Sequence, residues 1–190
     1  MNQPIGILSS GRRWWQAGYA AAAFYPTLAW NVLLGRVLCI RNWWDFIDDH
    51  VIVGARPLAS DLPALSQLGV RGIVNTCEEF AGFADEYLEL GIEQFHMPTT
   101  DFCHPSLRDV QRSVAFVQRH VDAGHVVYIH CKAGRARSAT VAMCWLIAHR
   151  DMDADTAQSW LLEKRPHINP RLTRRPVVQQ FTAGLQSAPP

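Results

Sequence analysis

One stretch constrains this chain more than any other. Val126-Val127-Tyr128-Ile129 is a short apolar run of the kind that forms a buried strand. It leads without a break into His130-Cys131-Lys132-Ala133-Gly134-Arg135-Ala136-Arg137-Ser138, after which an apolar helical pattern begins. A strand, a tight loop and a helix in that order build a cradle for an anion. Cys131 and Arg137 lie six positions apart, so a loop closing between them points its backbone N–H groups inward. Gly134 supplies the positive φ that such a curl needs, and the helix N-terminus adds its dipole. The field that holds a phosphate dianion also stabilises a thiolate. Cys131 is therefore predicted to have a lowered pKa and to act as a nucleophile near neutral pH.

The same stretch assigns the neighbouring roles. Lys132, Ala133, Gly134, Arg135, Ala136 and Arg137 form the expected phosphate-binding set, with Arg137 giving two charge-assisted hydrogen bonds to oxygens that gather charge in the transition state. Ser138 is placed to donate a hydrogen bond to the Cys131 sulfur when it leaves. His130 is expected to orient the loop through hydrogen bonds rather than to act as a base. Lys132 and Arg135 are expected to project from the loop mouth, adding positive potential for a ligand with more than one charge. Thiolate attack on phosphorus also needs an acid for the leaving oxygen. Asp101, in Met97-Pro98-Thr99-Thr100-Asp101-Phe102 and thirty residues before Cys131, is the candidate.

The rest of the chain reads as an α/β domain. Strands are predicted at 51–54, 72–76, 92–97 and 126–130, and helices at 61–68, 138–150, 155–164 and 173–184. The clearest helix starts after Ser106, an N-cap with Asp109 three residues on, and carries Val110, Val114, Val117 and Val121 on one face until Gly124. The domain is placed at 41–185, with a disordered tail at 186–190.

Residues 1–40 stand apart from that body. No acidic residue occurs before Asp45, and Trp14 to Gly35 is an uncharged run of 22 residues, long enough to cross a bilayer. Gln16, Pro26, Asn31 and the weakly apolar Ala20 to Ala23 interrupt it, and its Trp and Tyr residues suit a membrane interface. An interfacial anchor or hairpin, a helix packed on the domain, a true span and a transit sequence all fit. Each makes it a targeting or membrane-associating segment.

Composition excludes several classes. With 190 residues there is room for one domain of ordinary size. A net charge of +1 argues against a general nucleic-acid binder. The five cysteines include no C-x-x-C pair and the histidines have no metal-ligand spacing, so neither a disulfide framework nor a metal or other cofactor is expected.

Taken together, His-Cys-x-x-Gly-x-x-Arg-Ser after an apolar strand resembles the cysteine-dependent phosphatases of the tyrosine and dual-specificity superfamily. That resemblance implies a central, mostly parallel sheet flanked by helices, and it places the general-acid loop at Asp101. Within the superfamily the chain is most similar to the mitochondrial tyrosine-phosphatase-like lipid phosphatases that act on phosphatidylglycerophosphate on the route to cardiolipin. Phe24-Tyr25-Pro26-Thr27-Leu28, Val51-Ile52-Val53-Gly54-Ala55-Arg56-Pro57, Asn75-Thr76-Cys77-Glu78-Glu79-Phe80, Cys131 to Thr140 and Arg165-Pro166-His167-Ile168 with Arg171 carry the likeness. Phe80 stands where that family has tyrosine and Ala136 where serine is common, so neither place offers a hydroxyl. Glu78 and Glu79 are expected to support the pocket, by shaping its rim or orienting Arg137, or else to cap the following helix.

The resemblance implies a phospholipid phosphate substrate met at a membrane interface, no nucleic-acid partner, and no protein partner that the residues identify. It implies the mitochondrial inner membrane in a eukaryote or the cytoplasmic face of the inner membrane in a bacterium. A protein tyrosine or dual-specificity phosphatase, a phosphoinositide phosphatase, and an inactive phosphate-binding module are the alternatives.

Overall fold

The computed structural model describes residues 40–101 and 103–187. Five strands form one sheet: β1 Trp44–Asp48, β2 Val51–Gly54, β3 Val70–Cys77, β4 Glu93–Thr99 and β5 Val126–His130. The order is β1-β2-β5-β3-β4, with β1 antiparallel to β2 and every other pair parallel. The described helices are α1 Leu62–Gln67, α2 Ala84–Glu89, α3 Leu107–Asp122, α4 Arg137–His149, α5 Ala154–Lys164 and α6 Pro176–Gln186. Short 3-10 turns sit at Ala59–Asp61 and Leu172–Arg174. The four strands read from the sequence are present, and so are the helices, to within a few residues.

Strand alternation divides the core in two. On one face Val51, Val53, Val74, Val127 and Ile129 pack against α3, α4, α5 and α6. On the other Ile52, Ile73 and Tyr128 pack with Leu62 and Leu65 of α1 and Tyr87 of α2. With both faces covered, the central strands read as continuous apolar runs, as parallel strands do. Helix α3 shows how the pattern works locally. The Ser106 hydroxyl accepts from the Asp109 amide at 3.1 Å, satisfying one orphan donor of the first turn. Val110, Val114 and Val117 are buried, and the helix stops where Gly124 takes a φ of 75°. Helix α4 is buried from Arg137 through Leu146, matching a sequence that is apolar on all sides after its first turn.

Two elements escape the sequence reading. Strand β1 carries Asp45 and Asp48 and a bulge between Phe46 and Asp48, which breaks the alternation that would have marked it. Helix α2 is six residues long, has no side-chain cap and buries only Tyr87. At the other end, α6 runs to Gln186, one residue into the stretch expected to be disordered, and residues 188–190 lie outside the described residues. The apolar segment placed at 1–40 also lies outside them, apart from Ile40, which is exposed. No described helix is long and apolar enough to cross a membrane.

Candidate active site

Strand β5 sits between β2 and β3, and the pairing sets Gly54 and Asn75 beside His130. The loop from Cys131 to Ala136 therefore emerges at the carboxyl ends of parallel strands, where open α/β sheets hold their ligands. Gly134 turns this loop with a φ of 65°. A Cβ there would lie 2.5 Å from the Gly54 carbonyl carbon and 2.7 Å from Arg165 Nη2, so only glycine fits. From behind, Arg165 Nε donates to the Gly134 carbonyl at 2.8 Å while its guanidinium is ion-paired with Asp45. Arg165 is 1% exposed, and its partner lies in the unforeseen strand β1. Sequence spacing carries no signal for a contact across 120 residues.

Cys131 is 4% exposed at the floor of this loop. Burial alone would push its thiol up. The Arg137 cation, the Ser138 hydroxyl 3.3 Å from the sulfur, and the backbone N–H groups of Ser138 and Arg135 overcome that and hold it down at about 7. The thiolate is thus a major species at neutral pH. Cys77 and Cys144, equally buried, show the contrast, since desolvation leaves their thiols raised. Ala136 precedes α4 and its carbonyl accepts from the Thr140 amide and hydroxyl.

Arg137 is 2% exposed and held by three neighbours. Its Nη1 donates to the Thr99 carbonyl at 2.6 Å and to Glu79 Oε2 at 3.0 Å, while Nη2 lies 3.2 Å from Asp101 Oδ1. Although burial works against its charge, Cys131, Cys77, Asp101 and Glu79 raise its pKa further. Nη2 has no hydrogen bond of ordinary geometry, so this donor is open to a ligand oxygen. Asp101 reaches the same spot from the loop after β4 and forms a second ion pair with Lys132.

One expectation needs correction. Lys132 does not project from the loop mouth; it is buried and paired with Asp101, because two opposite charges brought out of water must meet. Arg135 is exposed, as expected, with its Nε donating to the His167 carbonyl at 2.7 Å. The His130 ring is fully buried, and burial pushes its pKa down to about 3 although a hydrogen bond with the Cys131 backbone works the other way. The loop is also anchored through the His130 carbonyl, which accepts from Thr76 Oγ1 at 2.8 Å.

Of the two glutamates, Glu79 orients Arg137, while Glu78 is exposed. Neither caps α2, whose first turn carries Asp85 and Glu86. Asn75 fixes this loop by donating to the Phe80 carbonyl at 2.7 Å and accepting from the Cys77 amide at 3.0 Å. Phe80 lies under the Arg56 guanidinium, 4.4 Å from it. Thr99, Arg165 and Asn75 are site residues that the sequence reading missed. Among the described residues no group of His, Cys, Asp and Glu is arranged to hold a metal ion.

The arrangement joins a neutral-pH thiolate, a fixed guanidinium with an open donor and a carboxyl group on one buried cup. Comparison with known proteins agrees with that geometry. The family described as dual specificity phosphatase, catalytic domain, matches residues 51–181. Phosphatidylglycerophosphatase and protein-tyrosine phosphatase 1 of Rattus norvegicus is 34% identical over 177 residues, covering 88% of this chain and 92% of that protein. Phosphatidylglycerophosphate phosphatase PTPMT1 of Arabidopsis thaliana is 35% identical over 152 residues, 78% of this chain, and the chain spans 45% of that protein's length. A crystal structure of PTPMT1 in complex with PI(5)P superposes with a TM-score of 0.71 at 29% identity, covering 77% of this chain and 98% of that one. This chain belongs to the dual specificity phosphatase family, in the group that includes PTPMT1.

Proposed function

We propose that the protein is a phosphomonoesterase that works through a phosphocysteine and converts phosphatidylglycerophosphate to phosphatidylglycerol. The observation that carries the chemistry is the Cys131 sulfur, buried beside Ser138 and Arg137 with its pKa held at about 7. In the first step the thiolate forms an S–P bond as the P–O bond to the glycerol oxygen breaks. Asp101 gives its proton to that oxygen, and Arg137 and the loop N–H groups hold the three equatorial oxygens. The incoming dianion takes over Arg137 Nη2 and ends one of the two ion pairs of Asp101; with the Lys132 pair opened as well, the carboxylate takes up from solvent the proton that it gives to the leaving oxygen. In the second step Asp101 accepts a proton from water, the resulting hydroxide attacks phosphorus, and the S–P bond breaks. Ser138 donates to the departing thiolate, and inorganic phosphate leaves.

The lipid substrate is supported by the relatives named for it and by the acid-free, aromatic-rich segment at 1–40, which suits an enzyme working at a membrane interface. We assign that segment to membrane association and residues 41–185 to catalysis. The site of action follows as the mitochondrial inner membrane in a eukaryote, or the cytoplasmic face of the inner membrane in a bacterium. The test is phosphate release by the wild type and Cys131→Ser on phosphatidylglycerophosphate in mixed micelles, on a phosphoinositide panel and on phosphotyrosine peptides. A kcat/KM for phosphatidylglycerophosphate at least about a hundredfold above the others, lost in Cys131→Ser, is expected. A preference for the peptides overturns the lipid assignment, and full activity in Cys131→Ser overturns the mechanism.

A further inference from the structure

We propose that Arg175 forms a second anion subsite beside the phosphate loop, which takes the diester phosphate of a two-phosphate head group while the loop takes the monoester. This rests on the lipid reading above and names the contact that would separate such a substrate from a simple monophosphate. Arg175 precedes α6, and its Nη1 donates to Thr140 Oγ1 at 3.0 Å. That hydroxyl, fully buried one turn beyond Arg137, donates in its turn to the carbonyl of Ala136 at 2.9 Å. A single hydroxyl thus ties the guanidinium to the last residue of the phosphate loop.

Arg175 differs from the arginines that acid groups tie down. Arg119, Arg137, Arg150 and Arg165 each meet a carboxylate, respectively Glu93, Glu79, Asp48 and Asp45. Among the described residues no carboxylate pairs with Arg175, although it is half-buried. Burial disfavours its cation, the Cys131 thiolate opposes that, and the Arg137 charge adds to it, so its pKa lies below the ordinary value. The same field reaches His104, on the loop that carries Asp101, where burial and the Arg175 charge lower the imidazole's pKa. Arg175 is therefore a preformed cation between the first turn of α4 and the acid loop, lacking the anion that would offset its desolvation. Its Nη2 and Nε make no hydrogen bond among the described residues, which leaves part of the planar fork free for phosphate oxygens. Arg56, the other half-buried arginine near the mouth, has its charge over the Phe80 ring instead.

The test uses the full chain carrying Cys131→Ser, which cannot turn over, and two soluble probes, propane-1,3-diyl bisphosphate and propyl phosphate, titrated calorimetrically. The bisphosphate is expected to bind about tenfold tighter or more. Adding Arg175→Met should bring the two affinities to within about twofold, whereas Arg175→Lys, which keeps a charge without the fork, should retain part of the difference. Thermal unfolding of each variant shows whether it is folded, and if Arg175→Met is not, Arg175→Lys and the salt dependence of the Cys131→Ser ratio decide. Equal affinities in the Cys131→Ser protein, or equal losses for both probes on changing Arg175, overturn the subsite. A wild type that fails to hydrolyse phosphatidylglycerophosphate while its Cys131→Ser form shows the bisphosphate preference overturns the lipid reading and leaves the subsite standing.

Discussion

Burial by itself would keep the Cys131 sulfur protonated, and it is the Arg137 charge and the Ser138 hydroxyl that reverse the sign. The thiolate is the reactive form, so reactivity rises with pH through the Cys131 pKa. Alkylation by iodoacetamide, followed by mass spectrometry across a pH series, is expected to show a midpoint at about 7. Ser138→Ala should move that midpoint up and Arg137→Met should move it further, following the order of their contributions. A midpoint that stays put in both variants would show that the backbone N–H groups alone set it. Arg137 also has a geometric duty that a point charge cannot copy, because Thr99 and Glu79 aim its fork. Arg137→Lys should lower kcat on the order of a hundredfold or more with the fold intact. Cys131, Arg137 and Ser138 were legible from spacing because one short loop holds all three. Glu79 was legible only as one of several roles. Asn75 was not, because its contacts with Phe80 and Cys77 are local but follow no periodic pattern, and neither were Thr99 and Arg165, since they act through contacts between elements far apart in sequence. The partnership of Lys132 with Asp101 was missed for the same reason.

At the scale of elements, the loop between β5 and α4 depends on what stands behind it. Gly134 faces the last residue of β2, and the Arg165 guanidinium closes the third side. Gly134→Ala must therefore both adopt a positive φ and push back the Gly54 carbonyl, which is backbone and cannot swing away. A loss of about 1–3 kcal/mol in urea unfolding is expected, with a larger proportional loss of phosphate release, since the N–H groups of the loop would no longer converge. A variant with wild-type activity and stability would mean that the loop curls by another route. The strands that build this setting were readable because both sheet faces are covered, which makes them continuous apolar runs. Strand β1 was not, since two apolar residues, Phe46 and Ile47, stand side by side at its bulge between Asp45 and Asp48, so no two-residue period shows in the sequence. The same strand supplies Asp45, so the brace on Gly134 was hidden along with it.

For the molecule as a whole, the histidines tie stability to the pH range in which the chemistry runs. Burial, first of all, depresses the imidazole of His130 to about 3 and that of His167 to about 4. Both are neutral in the folded protein at pH values where the unfolded chain, with ordinary imidazoles near 6.5, binds protons. The unfolded state is then the more protonated one, so stability falls as pH drops. The contribution is complete above about 6.5 and is lost as pH falls from there through about 4 for His167 and about 3 for His130. Within that window each imidazole contributes a slope of up to about 1.4 kcal/mol per pH unit, less for the partly exposed His167. Cys131 pulls the same way at higher pH, because a thiolate held at about 7 favours the folded state once pH exceeds that value. The molecule should therefore lose urea resistance steadily between pH 6.5 and 5, and its phosphate release should fall reversibly over the same range as the thiolate is protonated. His130→Asn, which removes the titrating ring, is expected to flatten the unfolding slope while leaving the alkylation midpoint of Cys131 in place. If the slope is unchanged in that variant, the acid sensitivity belongs to His167, whose imidazole burial also depresses, and measuring His167→Asn in the same urea series would locate it there.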